Sequence, residues 1–320
     1  MRLIALPSAF YLYNLDRDPD DHKLRFYALS PKNEWILGRW LFNQMYLEET
    51  DYSDKAGSDK AKNDLLIHNT EAEQFLNELL QHILRTNDIP NANEWHAHVC
   101  DTQEVNAYAV PGGNIVFNMG ILNIFDNVDQ LAMVMAHETA HVTMRHSVGQ
   151  ASTSFLRVCS LLFCFVSFDF SLFYMWGFEW GGDFLKLRHS RQHEARADLK
   201  GLEYLKRAGF ALAEGPKMIL KFENLAHPES CFGHEVATMQ KNENLEKVLE
   251  IFSDHPRHFA RYMAMTEKVK EINDPQPTKT KQKWFWQSLP QEEKTMADFK
   301  RKFEKVKATA TKYNAQRKTG

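Results

Sequence analysis

Residues 137–141 read His-Glu-Thr-Ala-His, and no other stretch of the chain restricts its folding as much. Positions four apart share one face of an α-helix. A helix here therefore aims both imidazoles at one ion and sets the Glu138 carboxylate beside them, where it can hold an ion-bound water. Two histidines leave a hydrolytic zinc site one ligand short, because such sites keep three protein ligands and one open position. The fold must then bring a further ligand to this helix. The alternative is a pair of surface histidines that bind nothing, and context decides between the two.

Context comes downstream. Ser190-Arg191-Gln192-His193-Glu194-Ala195-Arg196-Ala197-Asp198 opens a second helix, expected from about Arg191 to Ala208 and stopped by Gly209, a natural residue just past a helix end. Glu194 and Asp198 are again four apart and share a face. Glu194 is the natural third ligand, and Asp198 can hold a ligand histidine in its metal-binding orientation. Taken alone, carboxylates among Arg191, Arg196 and Lys200 also fit a solvated charged face. His146 extends the first motif to HExxHxxxxH, but at 100° per residue it falls about 140° from His141 and is expected to face away. His193 is likewise expected to point elsewhere.

The remaining patterns give a coarse frame. Helices are expected over about 31–48 and 70–86, followed by a strand near Glu94–Val99. Asn106-Ala-Tyr-Ala-Val-Pro-Gly-Gly113 reads as a turn-rich segment, and Asn114–Asn118 as a strand. Gly112-Gly113 suits a tight turn. It also suits an exposed strand edge at Asn114–Asn118 to which an extended peptide can add, making Asn114, Ile115, Val116 and Phe117 candidate substrate contacts. Asp126-Asn127 supplies an N-cap with Gln130 as its capping-box partner, so the HExxH helix starts there and runs to about His146.

Between the two metal helices lies Val158–Phe178, 21 residues with Asp169 as the only charge. At ~1.5 Å rise per residue it is long enough for a hydrocarbon core of ~30 Å. A single crossing, however, pulls His141 and Glu194 to opposite sides of the bilayer, and two crossings need about 40 apolar residues. An interfacial or re-entrant hairpin and a buried helix both remain open. The aromatics Phe163, Phe165, Phe168, Phe170, Phe173, Tyr174, Trp176 and Phe178 favour membrane contact. A mean hydropathy of −0.49 excludes several spans.

Net charge is −3 over 320 residues, which gives no reason to expect nucleic acid. From Lys279 to Gly320 there are 12 Lys or Arg against 4 Asp or Glu, so a basic tail follows an acidic body. Pro275 and Pro277 mark its start. Within it Met296, Phe299, Phe303, Val306 and Ala310 recur at helical spacing. That pattern suits a helix lying on an anionic membrane, with Trp284-Phe285-Trp286 as anchors, or one packing on the acidic body. Four cysteines without a CxxC pair fit a reducing compartment.

Taken together and in order, these segments resemble the Oma-type mitochondrial inner-membrane metallopeptidases, part of the wider zinc family that includes the HtpX-like and CAAX-processing proteases. HExxH followed by SRxxExxAD carries the likeness first. Asn106–Gly113 is similar to the family's NAfxxPGG segment, and His255-Pro256 with Arg261 is similar to its late HPxxxxR motif. Arg25-Phe-Tyr-Ala-Leu-Ser30, with Glu34 and Gly38, resembles the opening of the peptidase domain. The likeness covers about residues 10–272. Arg196 stands where relatives often carry an acid, and Asp254 where Thr is common.

The resemblance implies an α+β, mainly helical, zincin-like metallopeptidase domain with a small sheet edge and an HExxH helix. Residues 1–272 would form it, with a hydrophobic membrane-associated insertion at about 154–180 and a basic, partly helical tail at 273–320. One Zn2+ per chain would be held by His137, His141 and Glu194, with Glu138 as general base. His255 would serve as donor to the oxyanion or as a reversible fourth ligand, and Arg261 would be structural. Implied with these are an endopeptidase activity on membrane-protein polypeptides, a role in quality control, and the mitochondrial inner membrane as location. No clear targeting sequence supports that location: Met1 to Leu12 lacks a small-residue cleavage site, and Asp16, Asp18, Asp20 and Asp21 are unlike a presequence. A silent pseudopeptidase binding unfolded segments is the alternative, and the intact Glu138 argues against it. A closed four-ligand structural zinc site, with His255 as permanent ligand, is a third reading.

Overall fold

The computed structural model describes residues 9–46, 66–67, 70–167, 191–226, 256–273 and 290–318. Strands β1 (Leu15–Arg17) and β2 (Leu24–Phe26) pair antiparallel, with Leu15 opposite Phe26. Asp18 closes the turn between them by accepting the amides of Asp20 and Asp21. Helix α1 (Pro31–Tyr46) and helix α2 (Glu71–Thr86) follow. In α2 the apolar residues Phe75, Leu76, Leu79, Leu80, Ile83 and Leu84 recur at helical spacing and are buried together. Its first turn is closed by the Thr70 hydroxyl, which accepts the Glu73 amide at 3.1 Å.

A three-stranded sheet packs on α2. Strand β3 (His96–Cys100), β4 (Ala107–Val110) and β5 (Asn114–Asn118) are ordered β3-β5-β4, with β5 parallel to β3 and antiparallel to β4. This order corrects the expectation for Asn114, Ile115, Val116 and Phe117. They lie on the central strand, bonded on both sides, and all five residues of β5 are buried. The run Ile-Val-Phe is continuously apolar because both faces of the strand are covered. The edges are β3 and β4, and β4 lies inside the segment read as turn-rich; only Pro111-Gly112-Gly113 turns, with φ of +95° and +83° at the two glycines. Helix α1 presses on this turn at Gly38, where a Cβ would stand 1.8 Å from the Pro111 carbonyl oxygen.

The chain continues through α3 (Val128–Thr143), α4 (His146–Ser167), α5 (191–207), α6 (Glu214–Ala226), α7 (Pro256–Asn273) and α8 (Pro290–Lys318). The basic tail forms α8 as its periodicity suggests. Phe299, Phe303, Val306 and Ala310 are buried in the same core as α2 and the sheet. Phe299 meets the Phe75 ring edge-on at 6.3 Å between centroids, and Lys302 pairs with Glu78. The apolar stripe of this helix is therefore covered by protein.

Of Val158–Phe178, the backbone to Ser167 continues α4, and the rest lies outside the described residues, as do Trp284–Trp286, Pro275 and Pro277. Among the described residues no helix is long and apolar enough to cross a membrane. The contact at Gly38 gives a test of the packing. Gly38→Ala drives a methyl into a backbone carbonyl, an overpacking that costs about 1–3 kcal/mol. A thermal melt should show a fall of several degrees against the wild type.

Candidate metal centre

Helix α3 begins as the sequence suggests, with one adjustment. The Asn127 side chain accepts the Gln130 amide at 3.0 Å, and the Gln130 side chain reaches back to the Asp126 amide at 2.9 Å, one residue before the cap. The helix ends sooner than expected. Met144 caps it, Arg145 adopts φ +57°, and α4 restarts at His146.

His137 and His141 face α5. Their Nε2 atoms lie 3.0 Å apart, and the Glu194 carboxylate is 3.5 Å from His137 Nε2 and 3.4 Å from His141 Nε2. Ligand atoms about 2.0–2.1 Å from a tetrahedral zinc stand about 3.3 Å from each other. Two imidazole nitrogens and a carboxylate at these separations fit such an ion, and this trio is a group that could hold a metal. The helices can approach this closely because α5 carries Gly201 at the crossing. A Cβ there would lie 3.2 Å from the His137 amide nitrogen and 3.0 Å from the Met133 terminal methyl.

Behind the trio, Asp198 accepts from His137 Nδ1 at 3.0 Å and from Arg261 at 2.7 and 2.9 Å. With Nδ1 committed to Asp198, Nε2 is the ring atom of His137 that an ion would take. Arg261, on α7, also stands 3.4 Å from Glu194. Beside the trio, Glu138 accepts the Ala109 amide of β4 at 2.9 Å. In an antiparallel ladder alternate residues turn their amides outward, so Ala107 presents its backbone to the same open edge as Ala109. A cavity of about 230 Å³ opens here and is lined by Met133, Val134, Met218, Ile219, Phe222 and Met265, among others.

The carboxylates are set far apart in acidity. Burial, reinforced by the charge of Glu194, pushes Glu138 up to about 7. Glu194 is also buried, which acts to raise it, yet the hydrogen bond from His137 and the charges of His137, His141 and Arg261 hold it down at about 2. The surroundings thus favour the anion at Glu194 and the protonated form at Glu138.

Two expectations changed. His146 does not face away: its Nδ1 lies 3.1 Å from His141 Nδ1, and its ring stacks on His193 at 4.3 Å between centroids. The 100° count fails because the helix breaks at Arg145. Arg196 reaches Asp20 at 2.8 Å and also Asp18. Asp18 further pairs with Arg25 at 2.5 Å and accepts the Tyr27 hydroxyl at 3.2 Å. Asp18 and Asp20, from the acid run that argued against a presequence, therefore clamp α5 through Arg196, a contact the sequence alone did not offer. His255 lies outside the described residues.

A motif helix, a facing helix that lends a carboxylate and a strand edge alongside them make a zincin-like metallopeptidase domain. More particularly, the chain belongs to peptidase family M48, whose profile matches residues 70–269. It is similar to the Bos taurus protein "Metalloendopeptidase OMA1, mitochondrial", 28% identical over 234 residues, covering 70% of this chain and 41% of that protein. To the Saccharomyces cerevisiae "Mitochondrial metalloendopeptidase OMA1" it is 25% identical over 282 residues, covering 83% and 72%. The Escherichia coli "Beta-barrel assembly-enhancing protease" matches at 29% over 174 residues, covering 52% and 35%. The chain thus spans less than half the length of the bovine relative.

Two measurements probe this geometry. Gly201→Leu should force α5 from α3 and weaken metal binding at least tenfold, about 1.4 kcal/mol, in a chelator competition. Asp18 is burdened by burial but held down to about 2 by Arg196 and the Asp20 and Asp21 amides. A depressed carboxylate stabilises the fold above its ordinary value of 3.8 and loses that effect as pH falls toward 2. Asp18→Asn should therefore melt several degrees below the wild type at neutral pH, with the gap narrowing between about pH 4 and pH 2.

Proposed function

We propose that the chain is a zinc-dependent metalloendopeptidase, with His137, His141 and Glu194 as ligands and Glu138 as general base. The observation that carries this reading is the position of Glu138, between the ligand trio and the β4 edge. Zinc bound by two imidazoles and a carboxylate polarises a carbonyl and makes its water acidic near neutral pH.

The chain's own groups supply the rest. The open edge of β4 takes the substrate backbone as an added strand, the role assigned by sequence to β5. The cavity beside it takes an apolar side chain next to the scissile bond, and its three methionines adapt to several shapes. Glu138 accepts a proton from the attacking water and returns it to the leaving amine. Asp198 holds His137 in orientation, and Arg261 holds Asp198. Charge developing on the carbonyl oxygen needs a donor, the role we assign to His255, just before α7.

The names of the bovine and yeast relatives, together with the Oma-type motifs, support a mitochondrial location for this protein. Membrane-protein substrates, quality control and the inner membrane complete the proposal, with the apolar insertion at about 154–180 as the contact and 273–320 as a basic tail. A silent binder of unfolded segments has no use for a base beside the trio, so Glu138 stands against it.

Casein digestion by zinc-loaded protein in mild detergent tests the reading. Glu138→Gln should keep its zinc and lose hydrolysis by about 10²-fold or more, and retained cleavage would remove Glu138 as base. Glu194→Ala should lose both metal and activity; an unchanged zinc content takes Glu194 out of the ligand set. Mapping the cut sites by mass spectrometry should place large apolar residues beside the scissile bond, and an even spread there would rule out the cavity as their pocket.

A further inference from the structure

A histidine that gives one ring nitrogen to an ion carries its proton on the other, and what accepts that proton fixes the ring. For His137 the acceptor is the Asp198 carboxylate. For His141 the contact on that side, among the described residues, is a ring: its Nδ1 faces the Nδ1 of His146 at 3.1 Å. An ion on His141 Nε2, the atom turned to Glu194 and His137, would leave the proton on Nδ1, with His146 Nδ1 to accept it. The proton of His146 then sits on Nε2, a buried atom with no hydrogen-bond partner among the described residues. A protonated His146 would instead set two N–H groups against each other.

The backbone is shaped to make this contact. An unbroken helix would carry His146 about 140° away from His141. The left-handed Arg145, a conformation unfavourable for a residue with a side chain, turns α4 back so that His146 meets His141. Its guanidinium is held by Glu34 at 2.7 Å, the Leu29 carbonyl at 2.7 Å and Asp16 at 3.2 Å, and lies 4.2 Å over the Tyr27 ring. His146 is then pinned flat against His193, with 7° between the rings, and is 4% exposed.

We propose that His146 is the positioning residue for His141: it accepts the Nδ1–H of that ligand and so fixes its tautomer and its aim at the ion. The inference rests on the reading of His137, His141 and Glu194 as the metal site. It gives the two imidazole ligands unlike supports, an anion behind one and a neutral ring behind the other.

His146→Phe keeps the flat ring against His193 and removes the acceptor. Its metal affinity, by chelator competition, should fall 10–100-fold, and the absorption bands of the cobalt-substituted protein should shift, with the circular dichroism spectrum unchanged. His146→Asn, which restores an acceptor, should recover affinity to within about threefold of wild type. Affinity and cobalt spectrum both unchanged in His146→Phe would overturn the inference. Glu194→Ala, run alongside, separates the two failures: if it too leaves metal affinity unchanged, the metal-site reading falls and takes this one with it. Imidazole nitrogen NMR of the zinc-loaded wild type needs no variant. It should show His141 protonated on Nδ1 and His146 neutral and protonated on Nε2, and a proton on His146 Nδ1 would overturn the inference even where a variant fails to fold.

Discussion

Asp198, with only 3% of its side chain exposed, carries a negative charge into the interior of the domain. It is tolerated there because Arg261 donates twice and His137 donates once to the same carboxylate. A buried charge so paired need not add stability, but removing one partner strands the others, at a cost of about 3–5 kcal/mol. Three helices, α3, α5 and α7, are therefore committed to one relative placement. His137, His141, Glu194 and the neighbouring Glu138 inherit their geometry from it, and Gly201 lets the backbones come close enough for it to exist.

A second set of charges works from outside the stretch that matches the family profile, which begins at residue 70. Asp18 and Asp20 hold Arg196 on α5, while Asp16 and Glu34 hold Arg145 at the break between α3 and α4. Both arginines sit beside site residues. The amino-terminal hairpin and α1 thus belong to the same unit as the motif helices, and part of the site's geometry is set by side chains more than a hundred residues away in sequence.

Much of this was readable without coordinates, for a physical reason: helical periodicity is local. The i, i+4 pairs His137/His141 and Glu194/Asp198, the Asn127 end, and Gly209 with φ +80° all follow from neighbours in sequence. What escaped depended on pairing or on breaks. Strand order in the sheet is a non-local choice, so the apolar run at Ile115–Phe117 was taken for an edge when it is the centre. His146 was misplaced because the angular count assumed a helix that Arg145 interrupts. The apolar stripe of α8 was legible as a stripe, yet only the fold says that α2 and the one-turn helix Met119–Leu122 cover it.

That last packing has a kinetic side. Phe299 and Phe303 fill the core beside Phe75, and Lys302 meets Glu78 across 224 positions. Contacts so distant carry a loop-closure entropy that must be met before any of their enthalpy is gained, and chains rich in them fold slowly. During synthesis α2 would present Phe75, Leu79 and Ile83 with one wall of their core missing, until the residues beyond 299 had left the ribosome. A nascent chain therefore carries that greasy helix face uncovered from the synthesis of α2 until α8 emerges, a natural client for a holding chaperone.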